Sequence, residues 1–163
     1  MNWMLAAVIA LGIINVSDDV KSYSVNGPSM QPTMMAGDHM AVDKHYYKEN
    51  DFRRGDIIIF QKDDVQFVKR VIGLPREKVK LEGDQVYING KAIKETYLEK
   101  GDLPNMLNFP LRGESNVVPE GMIFVLGDNR MNSTDSRFLG YISMNKVIGK
   151  VIALNGIPLD VTE

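Results

Sequence analysis

Short apolar runs, separated by glycine, proline and polar turn residues, constrain the fold of this 163-residue chain most strongly. They are rich in valine, isoleucine and phenylalanine, which favour strands, and they lie at residues 57–60, 65–72, 85–88, 91–93, 122–126 and 146–154. Asn89-Gly90, between two of these runs, is the two-residue signal of a β-hairpin. Residues 94–121 contain three prolines and little periodicity, so we expect a long loop over the surface. No window after residue 16 predicts a long amphipathic helix, and the expected class is therefore mainly β.

The N-terminus carries an apolar run of a different kind. Residues 3–14 are 12 residues without a polar side chain, and no lysine or arginine precedes them. A helix needs about 20 apolar residues to cross a bilayer, so length alone favours a buried helix, an interfacial segment or a signal-type apolar region. We divide the chain into an N-terminal hydrophobic segment, residues 1–16, and one β-rich domain, residues 17–163.

The composition excludes several kinds of chemistry. The chain has no cysteine, which rules out a disulfide framework, a Cys-ligated zinc site, an iron–sulfur cluster and a thiol nucleophile. A formal net charge of −2 lacks the basic excess of nucleic-acid binders, so no nucleic-acid partner is expected. His39 and His45 are the only histidines, and their spacing matches no familiar metal site. We expect no metal and no cofactor.

The first polar stretch that could carry chemistry surrounds Ser29. This serine lies between Pro28 and Pro32, which restrict the backbone and hold the hydroxyl in one direction. Gln31 occupies the place of the second glycine in a G-x-S-x-G elbow, so the stretch is not that motif. Ser29 is either a nucleophile or an ordinary turn serine.

The second stretch is the run at residues 65–72, where a lysine stands in an apolar row. In a strand, Lys69 shares a face with Phe67 and Val71, whereas Arg70 points to the other face. Burial would lower the pKa of Lys69 and allow it to act as a general base near neutral pH. The alternative is a lysine that reaches solvent at the edge of a sheet.

The third stretch, residues 127–137, follows the run at 122–126 and is dense in turn formers, charges and hydroxyls. Such groups need partners when they fold inward, so the stretch predicts a structured functional loop. In the alternative, the loop is solvated and Asp135 pairs with Arg137 on the surface.

Together these stretches resemble the type I signal peptidases, membrane-anchored proteases that remove signal peptides from exported proteins. The resemblance covers residues 23–154 and rests on GPSMQPT at 27–33, RRGDIIIF at 53–60, FVKRVIGLP at 67–75 and GDNRMNSTDSR at 127–137. It implies an antiparallel β-sheet catalytic domain on the extracytoplasmic face of the cell membrane, with residues 1–16 as a short anchor helix. The compact chain is most similar to Gram-positive bacterial members.

The resemblance also implies a role for each matching polar residue. Ser29 would be the nucleophile and Lys69 the general base of a Ser/Lys dyad, which needs neither histidine nor cofactor. Ser133 would orient Lys69 through a hydrogen bond, and Asp135 and Arg137 would form a structural ion pair. The partners would be the signal peptides of exported preproteins and the lipid bilayer.

Further implications concern the oxyanion and the substrate. The family uses the backbone N–H of the nucleophile, here Ser29, as an oxyanion donor, and some members add a serine hydroxyl at the position of Gly27, which has none. Cleavage after Ala-x-Ala sites implies shallow apolar pockets, with Val25, Ile59 and Val68 as candidates for their walls.

One departure from the family pattern and two other functions stay open. Arg76 stands where the family commonly has glycine, and a positive φ there would cost about 1 kcal/mol. A repressor-type, self-cleaving Ser/Lys protease would need an Ala-Gly bond before the serine, but Ala36-Gly37 lies seven residues after Ser29. A catalytically silent binding module at the membrane surface would use Ser29 and Lys69 only as structural residues.

Overall fold

The fold was analysed in a computed structural model that describes residues 19–98, 108–110 and 115–159. Residues 1–16, with the expected anchor helix and the boundary to the β-rich domain, lie outside the described residues. Within the described ranges, no helix is long and apolar enough to span a bilayer.

Short strands make up most of the described chain. They are β1 (Val20–Ser24), β2 (His39–Asp43), β3 (Ile57–Lys62), β4 (Val65–Gly73), β5 (Val79–Glu82), β6 (Gln85–Ile88), β7 (Lys91–Ala92), β8 (Met122–Leu126), β9 (Ile142–Ser143), β10 (Val147–Leu154) and β11 (Ile157–Pro158). The helical elements are two helices of four residues, α1 (Tyr46–Glu49) and α2 (Ser136–Leu139), and a 3-10 turn, Met144–Lys146. The predicted mainly β class is confirmed.

The strands form two antiparallel sheets. The larger has the order β1-β2-β10-β3-β4-β8-β9, with β11 paired to β10, and the smaller has the order β5-β6-β7. The predicted hairpin is present: β6 and β7 flank Asn89 and Gly90, which both have positive φ, as a two-residue primed turn requires. The long β3–β4 hairpin at the centre of the larger sheet carries Lys69 directly opposite Ile58.

Buried apolar residues hold the segment between β1 and β2 against the larger sheet. Met30 and Met34 are fully buried and pack in one cluster with Val42, Ile57 and Ile59. Full burial of a methionine side chain contributes about 1.5–3 kcal/mol. The two methionines therefore fix the backbone on either side of Gln31, directly beyond Ser29.

The expectation that residues 94–121 only cross the surface is wrong for two of the described positions. Phe109 and Val118 are buried in the cluster between the two sheets, next to Phe124. Phe109 exchanges backbone hydrogen bonds with Leu81 of β5, at 2.9 and 3.2 Å. Apolar residues isolated between prolines have no periodicity, so the sequence pattern could not indicate their burial. Arg76, which stands where the signal peptidases commonly have glycine, has a positive φ of 68°.

Candidate active site

The turn that carries Ser29 is closed by hydrogen bonds at both of its ends. Val25 N–H donates to the carbonyl of Asp38, and Gly37 N–H donates to the carbonyl of Val25, each at 2.9 Å. Within the turn, Gln31 N–H donates to the carbonyl of Pro28 at 3.0 Å. Ser29 is half-buried on this rigid turn, with its hydroxyl directed at β4.

Lys69 extends from β4 to the Ser29 hydroxyl. Its Nζ donates to Ser29 Oγ at 2.8 Å and to the carbonyl of Val68 at 2.7 Å, and the residue is only 3% exposed. The Phe67 ring lies beside it, with 5.6 Å between Nζ and the ring centroid. Burial lowers the pKa of Lys69 from its ordinary value of 10.5 to about 8, although the charges of Asp135 and Asp128 oppose the shift. A substantial fraction of Lys69 is therefore neutral near physiological pH.

Ser133 and the pair of Asp135 and Arg137 lie next to the turn that carries Ser29. Asp135 is fully buried and accepts hydrogen bonds from Arg137 Nε at 2.8 Å, from Gly127 N–H at 2.9 Å and from Ser133 Oγ at 2.7 Å. Within the described residues, no hydrogen bond joins Ser133 to Lys69. Ser133 therefore bonds to the carboxylate rather than to the lysine, and the ion pair is part of the interior, not of the surface.

Gly127 allows the loop after β8 to approach the turn that carries Ser29 closely. A Cβ atom at this position would overlap both Ser133 Oγ and the backbone carbonyl of Ser29. The absence of a side chain thus lets the loop after β8 lie directly against the backbone of Ser29.

A buried ion pair that the sequence analysis missed connects three parts of the site. Asp128 accepts from Arg70 Nε at 2.9 Å, from an Arg70 terminal nitrogen at 2.7 Å and from Thr33 Oγ1 at 2.6 Å. Thr33 belongs to the Ser29 turn, Arg70 follows Lys69 on β4, and Asp128 belongs to the loop after β8. The signal for this pair was present in the sequence, since a charged residue inside an apolar strand needs a buried partner of opposite charge.

A second ion pair attaches the segment after β7 to the same loop. Arg130 is buried and pairs with Glu95, which also accepts a hydrogen bond from the Tyr97 hydroxyl at 2.6 Å. The guanidinium group of Arg70 lies over the Tyr97 ring, with 3.8 Å between its central carbon and the ring centroid. The loop at residues 127–137 is therefore structured and folded inward, as the sequence predicts.

Ser29 and Lys69 open into a cavity of about 380 Å³. The three residues suggested as pocket walls, Val25, Ile59 and Val68, all line this cavity. Gly27 lines it too and contributes no hydroxyl.

Neither histidine lines this cavity. His45 pairs with Asp19 at 2.5 Å, and His39 contacts the Ser24 hydroxyl at 3.4 Å. In the described part of the chain, no group of three or more side chains has the composition of a metal site.

Comparisons with known proteins identify the family. Residues 1–154 match the sequence profile of the family described as signal peptidase, peptidase S26. Signal peptidase I of Bacillus caldolyticus is 41% identical over 141 residues (80% of this chain and 76% of that protein), and signal peptidase IB of Staphylococcus aureus is 35% identical over 171 residues (93% and 86%). The crystal structure of a signal peptidase I from Enterococcus faecalis is similar with a TM-score of 0.55 and 37% identity, over 63% of this chain and 97% of that one. The chain therefore belongs to the signal peptidase family, peptidase S26, and is a serine peptidase.

Proposed function

We propose that this protein is a membrane-bound endopeptidase that removes N-terminal signal peptides from exported preproteins, with Ser29 and Lys69 as its catalytic dyad. The observation that carries the proposal is the 2.8 Å contact between Lys69 Nζ and Ser29 Oγ inside a cavity. Burial lowers the pKa of this lysine to about 8, so a fraction of it is neutral near neutral pH. The names of the relatives support the reaction class.

The dyad performs acyl transfer in two steps. Neutral Lys69 takes the hydroxyl proton of Ser29, whose Oγ forms a bond with the scissile carbonyl carbon. The C–N bond then breaks as the lysine returns the proton to the leaving amine, which becomes the N-terminus of the mature protein. Lys69 next takes a proton from water, whose oxygen attacks the ester carbonyl carbon. The bond between this carbon and Ser29 Oγ then breaks, Lys69 returns the proton to Oγ, and the signal peptide leaves as a free acid.

The oxyanion that forms in each step needs a preorganised donor. The backbone N–H of Ser29 has no acceptor within the described residues, so it can bond a substrate oxygen. Gly27 offers no side-chain donor, and this N–H is the principal protein donor to the oxyanion.

The cavity offers a substrate two features, a free edge of β4 and a set of apolar side chains. β4 pairs with β8 only from Arg70 onward, so the edge at residues 66–68 has no second strand partner in the described chain. An extended peptide can add to this edge through backbone hydrogen bonds. Val25, Ile59 and Val68 then contact alternate side chains of the peptide, and the limited space between them favours small residues such as alanine.

Attachment to the membrane is assigned to the N-terminal segment. The family profile includes residues 1–16, and their apolar run at 3–14 has the composition of an anchor. A helix that is short for the bilayer can be accommodated by local thinning. The catalytic domain then lies on the extracytoplasmic face, where signal peptides emerge.

The test uses the full chain in detergent with a preprotein that carries an Ala-x-Ala site. We expect the wild type to cleave after the second alanine, as determined by N-terminal sequencing of the product, and Ser29→Ala and Lys69→Ala to be inactive. The matched controls are Ser22→Ala on β1 and Lys80→Ala on β5, two exposed positions outside the cavity. Equal cleavage by the wild type and both dyad variants would refute the assignment.

A further inference from the structure

Asn129 makes two hydrogen bonds to the backbone around the nucleophile. Its backbone N–H donates to the carbonyl of Ser29 at 3.0 Å, and its side-chain Nδ2 donates to the carbonyl of Pro28 at 3.1 Å. One residue of the loop after β8 thus holds the carbonyl groups immediately before and after the Ser29 Cα. The sequence analysis assigned no role to this residue.

The bond to Pro28 fixes the group that would bind the oxyanion. A peptide unit is planar, so the orientation of the Pro28 carbonyl determines the direction of the Ser29 N–H on the other side of the same plane. The Pro28 carbonyl accepts from both Asn129 Nδ2 and Gln31 N–H, and hydrogen bonds to a carbonyl polarise the amide and strengthen its N–H as a donor. The side-chain amide therefore acts on both the direction and the strength of this donor.

The loop that presents Asn129 is itself held in place. The preceding residue, Asp128, is buried and bonded to Thr33 and Arg70, and Gly127 packs against the Ser29 carbonyl. The side-chain orientation is also determined by chemistry, because a backbone carbonyl only accepts hydrogen bonds and the –NH₂ group must face Pro28.

We infer that Asn129 is a positioning residue that aligns the Ser29 N–H for the oxyanion. The inference rests on the proposed function. It accounts for how a member of this family with Gly27, and so without a side-chain hydroxyl at that place, obtains a well-directed donor. The residue acts through the Pro28–Ser29 peptide and does not touch the substrate.

The test replaces the amide without changing the shape of the side chain. Asn129→Asp keeps the size but turns the donor at Pro28 into an acceptor. Asn50→Asp is the matched control, because Asn50 Nδ2 also donates to a backbone carbonyl, that of Tyr46, at 3.0 Å. Asn50 is exposed and does not line the cavity. Each variant is measured as full chain in detergent for kcat, KM, the pH dependence of cleavage, and the affinity for a substrate-like peptide boronic acid, whose adduct with Ser29 places an oxygen where the oxyanion forms.

Loss of a complete oxyanion donor lowers kcat by about 10²–10³-fold. Misalignment of a donor that stays present has a smaller effect, and we expect Asn129→Asp to lower kcat about 10–100-fold with KM unchanged. Its added carboxylate raises the pKa of Lys69, as the charges of Asp135 and Asp128 do. The pH midpoint is therefore compared in the uncharged Asn129→Ala, where it should equal that of the wild type. Boronic acid affinity should fall by a similar factor, and Asn50→Asp should behave as the wild type. If the Asp variant unfolds at a lower temperature, Asn129→Ala, which adds no charge, must give the same pattern.

Several results would overturn the inference. These are a wild-type kcat in both Asn129 variants, a loss confined to KM, a shifted pH midpoint in Asn129→Ala, or an unchanged boronic acid affinity. Failure of the proposed function is recognised separately, because Ser29→Ala would then cleave as well as the wild type. If Ser29→Ala is inactive and Asn129→Asp is fully active, only the positioning role is refuted.

Discussion

Replacing Lys69 by methionine is expected to abolish cleavage and to make the folded protein more stable. Lys69 is nearly completely buried, and its ammonium form is poorly solvated there. Methionine has a similar length, carries no charge and suits irregular apolar surroundings. The substitution thus removes the proposed base and the unfavourable burial of a charge together.

The magnitude follows from the pKa of Lys69. A pKa lowered from 10.5 to about 8 corresponds to about 3 kcal/mol, at 1.36 kcal/mol per pH unit. Against this, the variant loses hydrogen bonds to Ser29 Oγ and to the Val68 carbonyl, which contribute about 1 kcal/mol each. We expect Lys69→Met to raise the free energy of unfolding at pH 7 by about 1 kcal/mol, or the melting temperature by about 2–4 °C.

The pH dependence gives the sharper result. Below pH 8 both the folded and the unfolded wild type hold the proton on Lys69, and the destabilisation is fully present. Between pH 8 and 10.5 the unfolded chain binds more protons than the folded one, so wild-type stability gains from this group as the pH rises. The advantage of Lys69→Met should therefore shrink, and then reverse, across this interval.

The assay is urea unfolding of the full chain in detergent, followed by far-ultraviolet circular dichroism from pH 6.5 to 10. Lys80→Met is the control, because Lys80 lies on the exposed side of β5. The contributions of the other ionisable groups are common to the wild type and the variant and cancel in the difference between them. A constant difference over the whole range would refute the conclusion that burial lowers the pKa of Lys69.

Three other perturbations follow from the same geometry. For the wild type, kcat/KM should rise with pH and level off above a midpoint near 8. Lys69→Arg should be inactive from pH 6 to 9, because a guanidinium group keeps its proton. Cleavage by this variant would refute the assignment of lysine as the base. Asp128→Ala leaves Arg70 buried without its carboxylate and should lower the free energy of unfolding by about 3–5 kcal/mol in urea, whereas Asp84→Ala, at an exposed position, should change it little. Deletion of residues 1–16 should release the protein from membranes after a carbonate wash, and a truncated protein that still pellets with them would contradict the assignment of the anchor.

The β class and most of the longer strands could be predicted from local patterns alone. Residues 57–60, 65–72, 85–88 and 122–126 are apolar runs bounded by turn residues, and the structure has strands at each. Two other strands, β5 (Val79–Glu82) and β9 (Ile142–Ser143), were not predicted. β9 has two residues and no hairpin signal beside it, whereas β5 alternates apolar and charged residues and precedes Gly83-Asp84, a hairpin signal that was not recognised. The burial of Phe109 was not predicted either, because it depends on pairing with Leu81, which is distant in the sequence.

The sequence by itself determined which chemistry is available. The chain has no cysteine, and its two histidines match no familiar site, so thiol chemistry is excluded and histidine chemistry is not favoured. The motifs that resemble the signal peptidases then predict Ser29 and Lys69 as the hydrolytic pair. Only the tertiary structure decided how the pair is held. Asp128 contacts Thr33 and Arg70, which are 95 and 58 residues away in the sequence. Asn129 contacts the carbonyl of Pro28, 101 residues away, and that of Ser29. Local patterns carry no information about such pairings, because each depends on the approach of strands and loops that the burial of the whole core brings together.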